Sequence, residues 1–253
     1  MGKAYAIMSG KGGVGKTTTA INLGAALKRF NEDVVLVDTN LTTPNIGVYF
    51  GAPVVPVSFN HFLQNKTDIE EAIYEHESGV KIIPSSLSLK DLKKVKLEKI
   101  KEASKKLKKI SSHVIFDSAA GLGEEARKVL EAGDEVIVVA NPNILSITDA
   151  LKTIKLAEEF KKPVKGVIIT RVKKSKTEMP LENIKEMLEV PILGVVPEDK
   201  AVEEALIRKN AVMYTKPRSK AAKAYREIAA RLLGKRKISA SFFERILSGL
   251  GLR

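Results

Sequence analysis

Short apolar runs alternate with amphipathic stretches along most of this chain. The apolar runs are rich in β-branched residues and have the length of strands that are buried on both faces, and they cover residues 4–8, 34–37, 80–83, 114–116, 135–140, 164–170 and 192–196. Between them, apolar positions recur at helical spacing, first over residues 18–30. This alternation predicts an α/β fold with a mostly parallel central β-sheet that helices flank on both faces.

A glycine-rich loop separates the first predicted strand from the first predicted helix. It fits the phosphate-binding pattern G-x-x-x-x-G-K-[ST], and its candidate nucleotide-binding residues are Gly10, Lys11, Gly12, Gly13, Val14, Gly15, Lys16, Thr17 and Thr18. Backbone N–H groups of such a loop can surround one anion, and the helix that follows adds the positive end of its dipole. Lys16 can reach the outer phosphates, and the Thr17 hydroxyl can hold magnesium. A glycine turn without a ligand would not need this strand and helix, so we predict a nucleoside triphosphate site.

Two aspartates, Asp38 and Asp117, follow apolar runs that predict strands. Since the carboxyl ends of parallel strands lie at one edge of a sheet, both carboxylates are expected near the magnesium and phosphates. Either aspartate alone could instead be a helix cap or a turn residue. Their occurrence beside a phosphate-binding loop favours ion coordination or positioning of water, with Asp117 holding magnesium through a water molecule. Asp117 and Gly121 are also candidate switch residues, because a glycine N–H can approach the γ-phosphate.

Lys11 is a second lysine inside the loop. Because Lys16 already serves the bound phosphates, we expect Lys11 to reach a nucleotide that is held by a facing subunit. Lys11 would then be a cation supplied in trans, comparable to an arginine finger.

The segment from Lys11 to Thr18 resembles the deviant Walker A motif of the MinD/ParA class of P-loop ATPases, and most of the chain is similar to the archaeal MinD-like branch. Other segments resemble the family in the same order, namely the second strand (34–38), the Walker B strand (114–117), the switch II turn (120–122), and residues 140–142, 196–199 and the helix that ends at Gly234. The resemblance covers residues 3–234 and implies ATP and magnesium as cofactors. It divides the chain into an ATPase domain, 1–234, and a tail, 235–253.

Two departures from the family pattern affect the expected chemistry. Members of this class commonly have a second carboxylate where this chain has Asn40, and an amide can orient water but cannot accept its proton. We therefore expect slow hydrolysis, with Lys11, Lys16, Asp38 and Asn40 as candidate catalytic residues. Thr170 stands where relatives often have an asparagine that contacts the base, so the candidate base-end residues are Arg171, Pro197, Glu198 and Asp199.

Composition narrows the possible classes of protein. The 253 residues include no cysteine, which excludes disulfides, thiol catalysis and cysteine metal sites. The three histidines show no spacing typical of metal ligands. No apolar run reaches the length of a membrane span, and the N-terminus begins a strand instead of a signal peptide. A cytoplasmic location is therefore expected.

The formal net charge is +13, and much of it lies in two segments. Residues 90–109 contain ten lysines and three acidic residues, and residues 235–253 contain five basic residues and one acidic residue. Local basic excess is typical of surfaces that bind phosphate-rich partners. For residues 90–109 the alternative is a solvated helix with its apolar side turned to the sheet, formed by Leu89, Leu92, Ile100, Ala103, Leu107 and Ile110.

The tail begins with the basic linker 235–237 and continues with apolar positions at helical spacing. On a helical wheel one face collects Phe242, Phe243, Ile246, Leu247 and Leu250. This pattern predicts an amphipathic C-terminal helix, and the resemblance implies that such a segment targets an anionic membrane surface. The alternative is a helix that folds back on its own domain or on a partner.

The resemblance and the tail together imply a homodimer that forms with ATP and binds peripherally to the inner face of the cell membrane. Such a protein positions cellular components, in cell division or in selection of a polar site, and hydrolysis helped by an unknown activating protein resets it. One alternative is a ParA-like ATPase that holds nonspecific DNA through residues 90–109 for partition. Another is a regulatory protein whose tail docks to a protein partner.

Overall fold

The computed structural model describes residues 1–173 and 175–235. Within them eight strands form one sheet: β1 (Lys3–Met8), β2 (Val34–Thr39), β3 (Tyr74–Glu75), β4 (Lys81–Ile83), β5 (His113–Ser118), β6 (Glu135–Ala140), β7 (Val164–Val172) and β8 (Ile192–Pro197). The strand order is β3-β4-β2-β5-β1-β6-β7-β8. Neighbouring strands are parallel except β3 and β4, which are antiparallel.

Helices cover both faces of this sheet: α1 (Lys16–Lys28), α2 (Ile46–Tyr49), α3 (Phe59–Leu63), α4 (Lys99–Ile110), α5 (Glu124–Ala132), α6 (Ile144–Glu159), α7 (Leu181–Leu188), α8 (Lys200–Ile207), α9 (Val212–Thr215) and α10 (Lys220–Leu232). One apolar core contains residues of α3 to α7, and the other contains residues of α1, α2 and α8 to α10. The predicted α/β fold, a mostly parallel sheet between two helical layers, is confirmed.

The central strand β1 shows why the strands read as continuous apolar runs. It pairs with β5 on one side and β6 on the other. Ala4, Ala6 and Met8 face one core, and Tyr5 and Ile7 face the other. Because side chains on both faces are buried, the alternation of polar and apolar residues that marks a half-exposed strand is absent.

Residues 89–110 do not form the single helix with one buried apolar side that their spacing allowed. Ile100, Ala103 and Leu107 are buried, but Leu89 is 77% exposed and Ile110 is 43% exposed. The helix begins at Lys99, and residues 89–92 form a separate 3-10 turn. Lys94 lies between them with a left-handed backbone, φ 61°, which no α-helix accommodates. Leu89 therefore cannot share the buried face of α4.

The last helix, α10, is followed by Gly234 with φ 66°, as expected for a glycine that terminates a helix. The predicted amphipathic segment lies outside the described residues, including Phe242, Phe243, Ile246, Leu247 and Leu250. In the part of the chain that the structure describes, no helix is both long and apolar enough to cross a bilayer.

Candidate functional site

Two adjoining cavities open at the carboxyl edge of the sheet. The first, of about 420 Å³, is lined by the glycine-rich loop, the start of α1 and residues 40–49. The second, of about 300 Å³, is lined by the ends of β7 and β8 and by α8. The two cavities share five lining residues, which are Gly15, Thr18, Tyr49, Arg171 and Leu206. The cavities therefore form one groove, with the phosphate-binding motif in one half and the candidate base-end residues in the other.

The glycine-rich loop is shaped by backbone conformation and close packing. Gly15 caps α1 with φ 90°, a conformation that strains other residues. A Cβ atom on Gly10 would lie 2.4 Å from the Asp149 carbonyl oxygen of α6. The loop thus packs closely against α6 at Gly10 and leads into α1 at Gly15. The backbone N–H groups at the N-terminus of α1 favour an anion.

Side chains at the ends of β6 and β7 hold this loop in place. The Thr170 hydroxyl donates to the Val14 carbonyl oxygen at 2.6 Å. Asn141 Nδ2 donates to Thr170 Oγ1 at 2.9 Å and approaches the Val14 oxygen at 3.3 Å. Thr170, which the sequence analysis identified only as a departure from the family pattern, therefore anchors the loop. The sequence gives no signal for a contact between residues so far apart.

Lys16, Thr17 and Asp117 form a buried polar cluster at the floor of the first cavity. Lys16 Nζ lies 2.9 Å from Asp117 Oδ1 and also donates to the Ser118 carbonyl oxygen. The Thr17 hydroxyl donates to Asp117 Oδ2 at 2.5 Å. Lys16 is 7% exposed and Asp117 is fully buried. Two of the three residues predicted as magnesium ligands, Thr17 and Asp117, are thus in direct contact.

These residues fit a magnesium ion. The described residues contain no group of three or more His, Cys, Asp or Glu that could hold a metal ion by themselves. Magnesium is commonly bound by one or two carboxylates together with phosphate oxygens and several waters. A hydroxyl and one carboxylate beside a phosphate-binding loop match that pattern.

Asp38, the third predicted magnesium ligand, shapes the loop that follows β2. Its Oδ2 accepts hydrogen bonds from the N–H groups of Asn45 at 2.8 Å and Ile46 at 2.9 Å. Its Oδ1 accepts from the Asn40 N–H at 3.2 Å. Burial, with the nearby Asp117 carboxylate adding to it, raises the pKa of Asp38 above its usual range. Through these contacts Asp38 stabilises the conformation of residues 40–46. Its contact with magnesium stays a prediction.

Asn40 lines the first cavity, as expected for a residue near the reacting phosphate. Its side-chain Nδ2 donates to the Thr43 carbonyl oxygen at 2.8 Å and lies 2.9 Å from the Thr43 hydroxyl. The amide is therefore oriented by its own loop, and Asp38 fixes the start of the same loop.

The predicted switch residue Gly121 is bonded to the glycine-rich loop. Its N–H donates to the Ser9 carbonyl oxygen at 2.9 Å. The next helix contributes Glu125, whose Oε1 accepts from the Thr42 hydroxyl at 3.2 Å. The loop after β2 is thus linked to the first turn of α5, the helix that follows the switch loop. A contact between the Gly121 N–H and a γ-phosphate would require the Ser9 bond to open.

All four candidate base-end residues line the second cavity. The carboxylate of Asp199, however, is used by two helices. Its Oδ1 accepts from Ala201 N at the start of α8, and its Oδ2 accepts from Ala221 N at the start of α10, both at 3.0 Å. Glu198 forms an exposed ion pair with Lys173 at 3.2 Å.

We expect Asp199→Ala to lower the free energy of unfolding by about 2 kcal/mol, since one side chain caps two helices and each cap contributes about 1 kcal/mol. Denaturant unfolding would measure the change. Glu198→Ala is the matched control, because its surface ion pair contributes at most about 1 kcal/mol. Equal losses in both variants would contradict the capping role.

The fold and the groove define a P-loop nucleotide-binding protein. The model of one family, the CobQ/CobB/MinD/ParA nucleotide binding domain, matches residues 5–212. The chain belongs to this family, in agreement with the resemblance carried by its motifs.

Similar proteins support the same placement. An ATP-binding protein of Methanocaldococcus jannaschii is 39% identical over 99% of this chain and 97% of its own length. The septum site-determining protein MinD of Bacillus subtilis is 32% identical, covering 92% of this chain and 90% of that protein. Among solved structures, the septum site-determining protein MinD of Pyrococcus horikoshii, complexed with Mg-ADP, superposes with a TM-score of 0.88 at 32% identity. That match covers 94% of this chain and all of the other.

Proposed function

We propose that this protein is a MinD-like ATPase that dimerises on ATP, associates reversibly with the membrane and positions cellular components. The observation that carries the proposal is the pair of lysines in one loop: Lys16 is buried against Asp117, whereas Lys11 is exposed in the same cavity. The names of the Bacillus and Pyrococcus relatives support a role in selection of a division site.

Each half of the groove has a separate task in this proposal. The loop and the N-terminus of α1 bind the phosphates of ATP, and Thr17 and Asp117 would hold magnesium. When bound, the ion neutralises charge that develops on the phosphate oxygens. Asp38 fixes the loop that carries Asn40, and Asn40 orients the attacking water. The residues around Pro197 receive the base.

Lys11 is suited to act on a second subunit. Within residues 1–173 and 175–235, no carboxylate lies within 4.0 Å of its ammonium group. The bound phosphates of its own subunit already have Lys16. An exposed lysine at the mouth of the cavity can therefore approach the nucleotide of a facing subunit, and the dimer would form around the two nucleotides.

We expect Asn40→Asp to raise the rate of ATP hydrolysis by about tenfold or more, because a carboxylate can accept the proton of the attacking water and an amide cannot. Release of phosphate under single-turnover conditions is the direct measurement. Asn40→Ala, which removes the amide without adding a carboxylate, serves as the control and should hydrolyse ATP no faster than the parent. A rate for Asn40→Asp no higher than that of the parent would contradict the assigned role.

Membrane association is assigned to residues 235–253, with a basic linker before the predicted amphipathic helix. One short helix of this kind binds lipid weakly, because ordering of the segment offsets much of the gain from burying five apolar side chains. Two tails on one dimer bind far more firmly, since the second attachment is intramolecular. The nucleotide would therefore control residence at the membrane by controlling dimerisation.

Sedimentation with vesicles that contain anionic lipid tests the proposal. The full chain is expected to pellet with the vesicles in Mg-ATP, and much less in Mg-ADP. A chain that ends at residue 235 retains the ATPase domain and should stay in the supernatant with either nucleotide. Phe242→Glu in the full chain should behave like the shortened chain. Equal pelleting in ATP, in ADP and without the tail would overturn the proposal.

A second function, binding of nonspecific DNA, is favoured by one observation. Seven of the ten lysines in residues 90–109 have no ion pair or side-chain hydrogen bond among the described residues, namely Lys90, Lys93, Lys94, Lys96, Lys101, Lys105 and Lys109. A surface of this kind suits a polyanion. DNA binding would survive removal of the tail and fall steeply with salt, whereas membrane binding would be lost with the tail.

A further inference from the structure

Arg171 has an unusual backbone for its place in the fold. Seven non-glycine residues of the described chain have positive φ angles. Six of them lie in turns that follow a helical segment, where this conformation is common, and these are Asn31, Asn65, Lys94, Lys161, Glu189 and Lys209. Arg171, with φ 55°, lies inside strand β7. Helix termination therefore does not explain its conformation.

The irregularity at Arg171 changes where its side chain points. The pairing of β7 with β8 shifts between Ile169 and Val172, as in a β-bulge. Bulges near active sites redirect a side chain that a regular strand would place elsewhere. A left-handed arginine costs free energy that a glycine would avoid, so its persistence at a candidate site indicates a task for the side chain.

Arg171 lies where the two halves of the groove meet. Arg171 lines both cavities and is the only charged residue among the five that do. Tyr225 lies in the wall of the second cavity, and burial strongly raises the pKa of its hydroxyl. The positive charge of Arg171 acts in the opposite direction and lowers that pKa. Among the described residues, no carboxylate forms an ion pair with Arg171. Its charge is thus available to a ligand.

The chemistry of a nucleotide identifies the group at that position. With the outer phosphates at Lys16 and Thr17 and the base beside Pro197, the parts between them are the ribose and the α-phosphate. A guanidinium group binds a phosphate with two parallel hydrogen bonds, whereas a ribose hydroxyl offers no charge. We propose that the bulge in β7 holds Arg171 in a left-handed conformation so that its guanidinium group binds the α-phosphate. This inference rests on the proposed nucleotide site. It assigns Arg171 to the phosphates, whereas the sequence analysis placed it with the residues at the base.

Titration calorimetry with unlabelled ATP and ADP tests the inference on the full chain and on Arg171→Gly. Because both nucleotides carry the α-phosphate, their affinities should fall by the same factor, roughly tenfold or more. Without nucleotide, Arg171→Gly should melt about 2–4 °C higher, since glycine accepts the left-handed backbone without strain. Arg171→Lys retains the charge without the paired hydrogen bonds and should bind with intermediate affinity.

Glu189→Gly is the matched control, because Glu189 is also exposed and left-handed, φ 54°, but follows α7 away from the groove. It should gain thermal stability and bind both nucleotides like the parent. Unchanged affinity in Arg171→Gly, or a loss confined to ATP, would overturn the assignment. A parent protein that binds both nucleotides through Arg171 but neither dimerises nor pellets with vesicles would refute the proposed function and leave this inference standing.

Discussion

Replacing Lys16 by methionine is expected to destabilise the protein by about 3–5 kcal/mol as well as to abolish ATP hydrolysis. The ammonium group of Lys16 lies 2.9 Å from Asp117 Oδ1, and both side chains are almost completely removed from solvent. Loss of this ammonium group leaves the buried carboxylate of Asp117 without its cation. Asp117 is also close enough to Asp38 to raise the pKa of Asp38. The two buried carboxylates of Asp38 and Asp117 would then lie close together without a neighbouring cation.

Asp117→Asn provides the second arm of this experiment. The amide keeps an oxygen that can accept from the Thr17 hydroxyl but removes the charge. In the double variant, Lys16→Met with Asp117→Asn, most of the stability should return, because the buried charge of Asp117 is removed together with the cation that paired with it. Hydrolysis should stay absent in all three variants. Guanidinium unfolding measures the coupling, and additive losses in the double variant would show that the two groups do not form a functional pair.

Lys11→Ala is expected to lower the rate of ATP hydrolysis by about 10³-fold or more while the monomer still binds ATP. The expected loss is large because a cation supplied in trans stabilises charge that develops only in the transition state. Binding should be preserved because Lys16, Thr17 and the backbone of the loop are unchanged. Stability should also be preserved, since Lys11 is exposed.

The matched control for Lys11→Ala is Lys105→Ala, which removes an exposed lysine from α4, far from the groove. Its turnover should equal that of the parent at every protein concentration. In the parent, turnover per subunit should rise with protein concentration as dimers form, and this rise should vanish in Lys11→Ala. If Lys11→Ala hydrolysed ATP at the parental rate, Lys11 would have no role in trans.

The sequence predicted the sheet and the place of the site because both depend on local patterns. Buried parallel strands are continuous apolar runs, and the motif from Gly10 to Thr18 needs a strand before it and a helix after it. The weakest part of the prediction was residues 89–110, where helical spacing continued through Lys94. A single left-handed residue interrupts a helix without changing the apolar pattern, so periodicity cannot detect it.

The roles of individual polar residues were harder to predict, because partners distant in sequence decide them. Asp199 was predicted at the base end of the groove, which it lines, but the sequence did not indicate that its carboxylate also caps helices that begin at residues 200 and 220. Thr170 was noted only as a departure from the family pattern, and the structure shows that its hydroxyl donates to Val14. In both cases the hydrogen-bond partner depended on tertiary packing, which residue type and position in the sequence do not reveal. The left-handed backbone of Arg171 likewise cannot be predicted from the sequence pattern.

We expect ATP, and not ADP, to join two copies of this chain. The most direct measurement is the molar mass of the full chain by light scattering in Mg-ATP and in Mg-ADP, at a protein concentration that is the same in both. We expect the full chain to have twice the monomer mass in Mg-ATP and the monomer mass in Mg-ADP, and Asn40→Ala, in which hydrolysis is slowed, to stay dimeric longer in Mg-ATP. The same mass with both nucleotides would contradict this expectation.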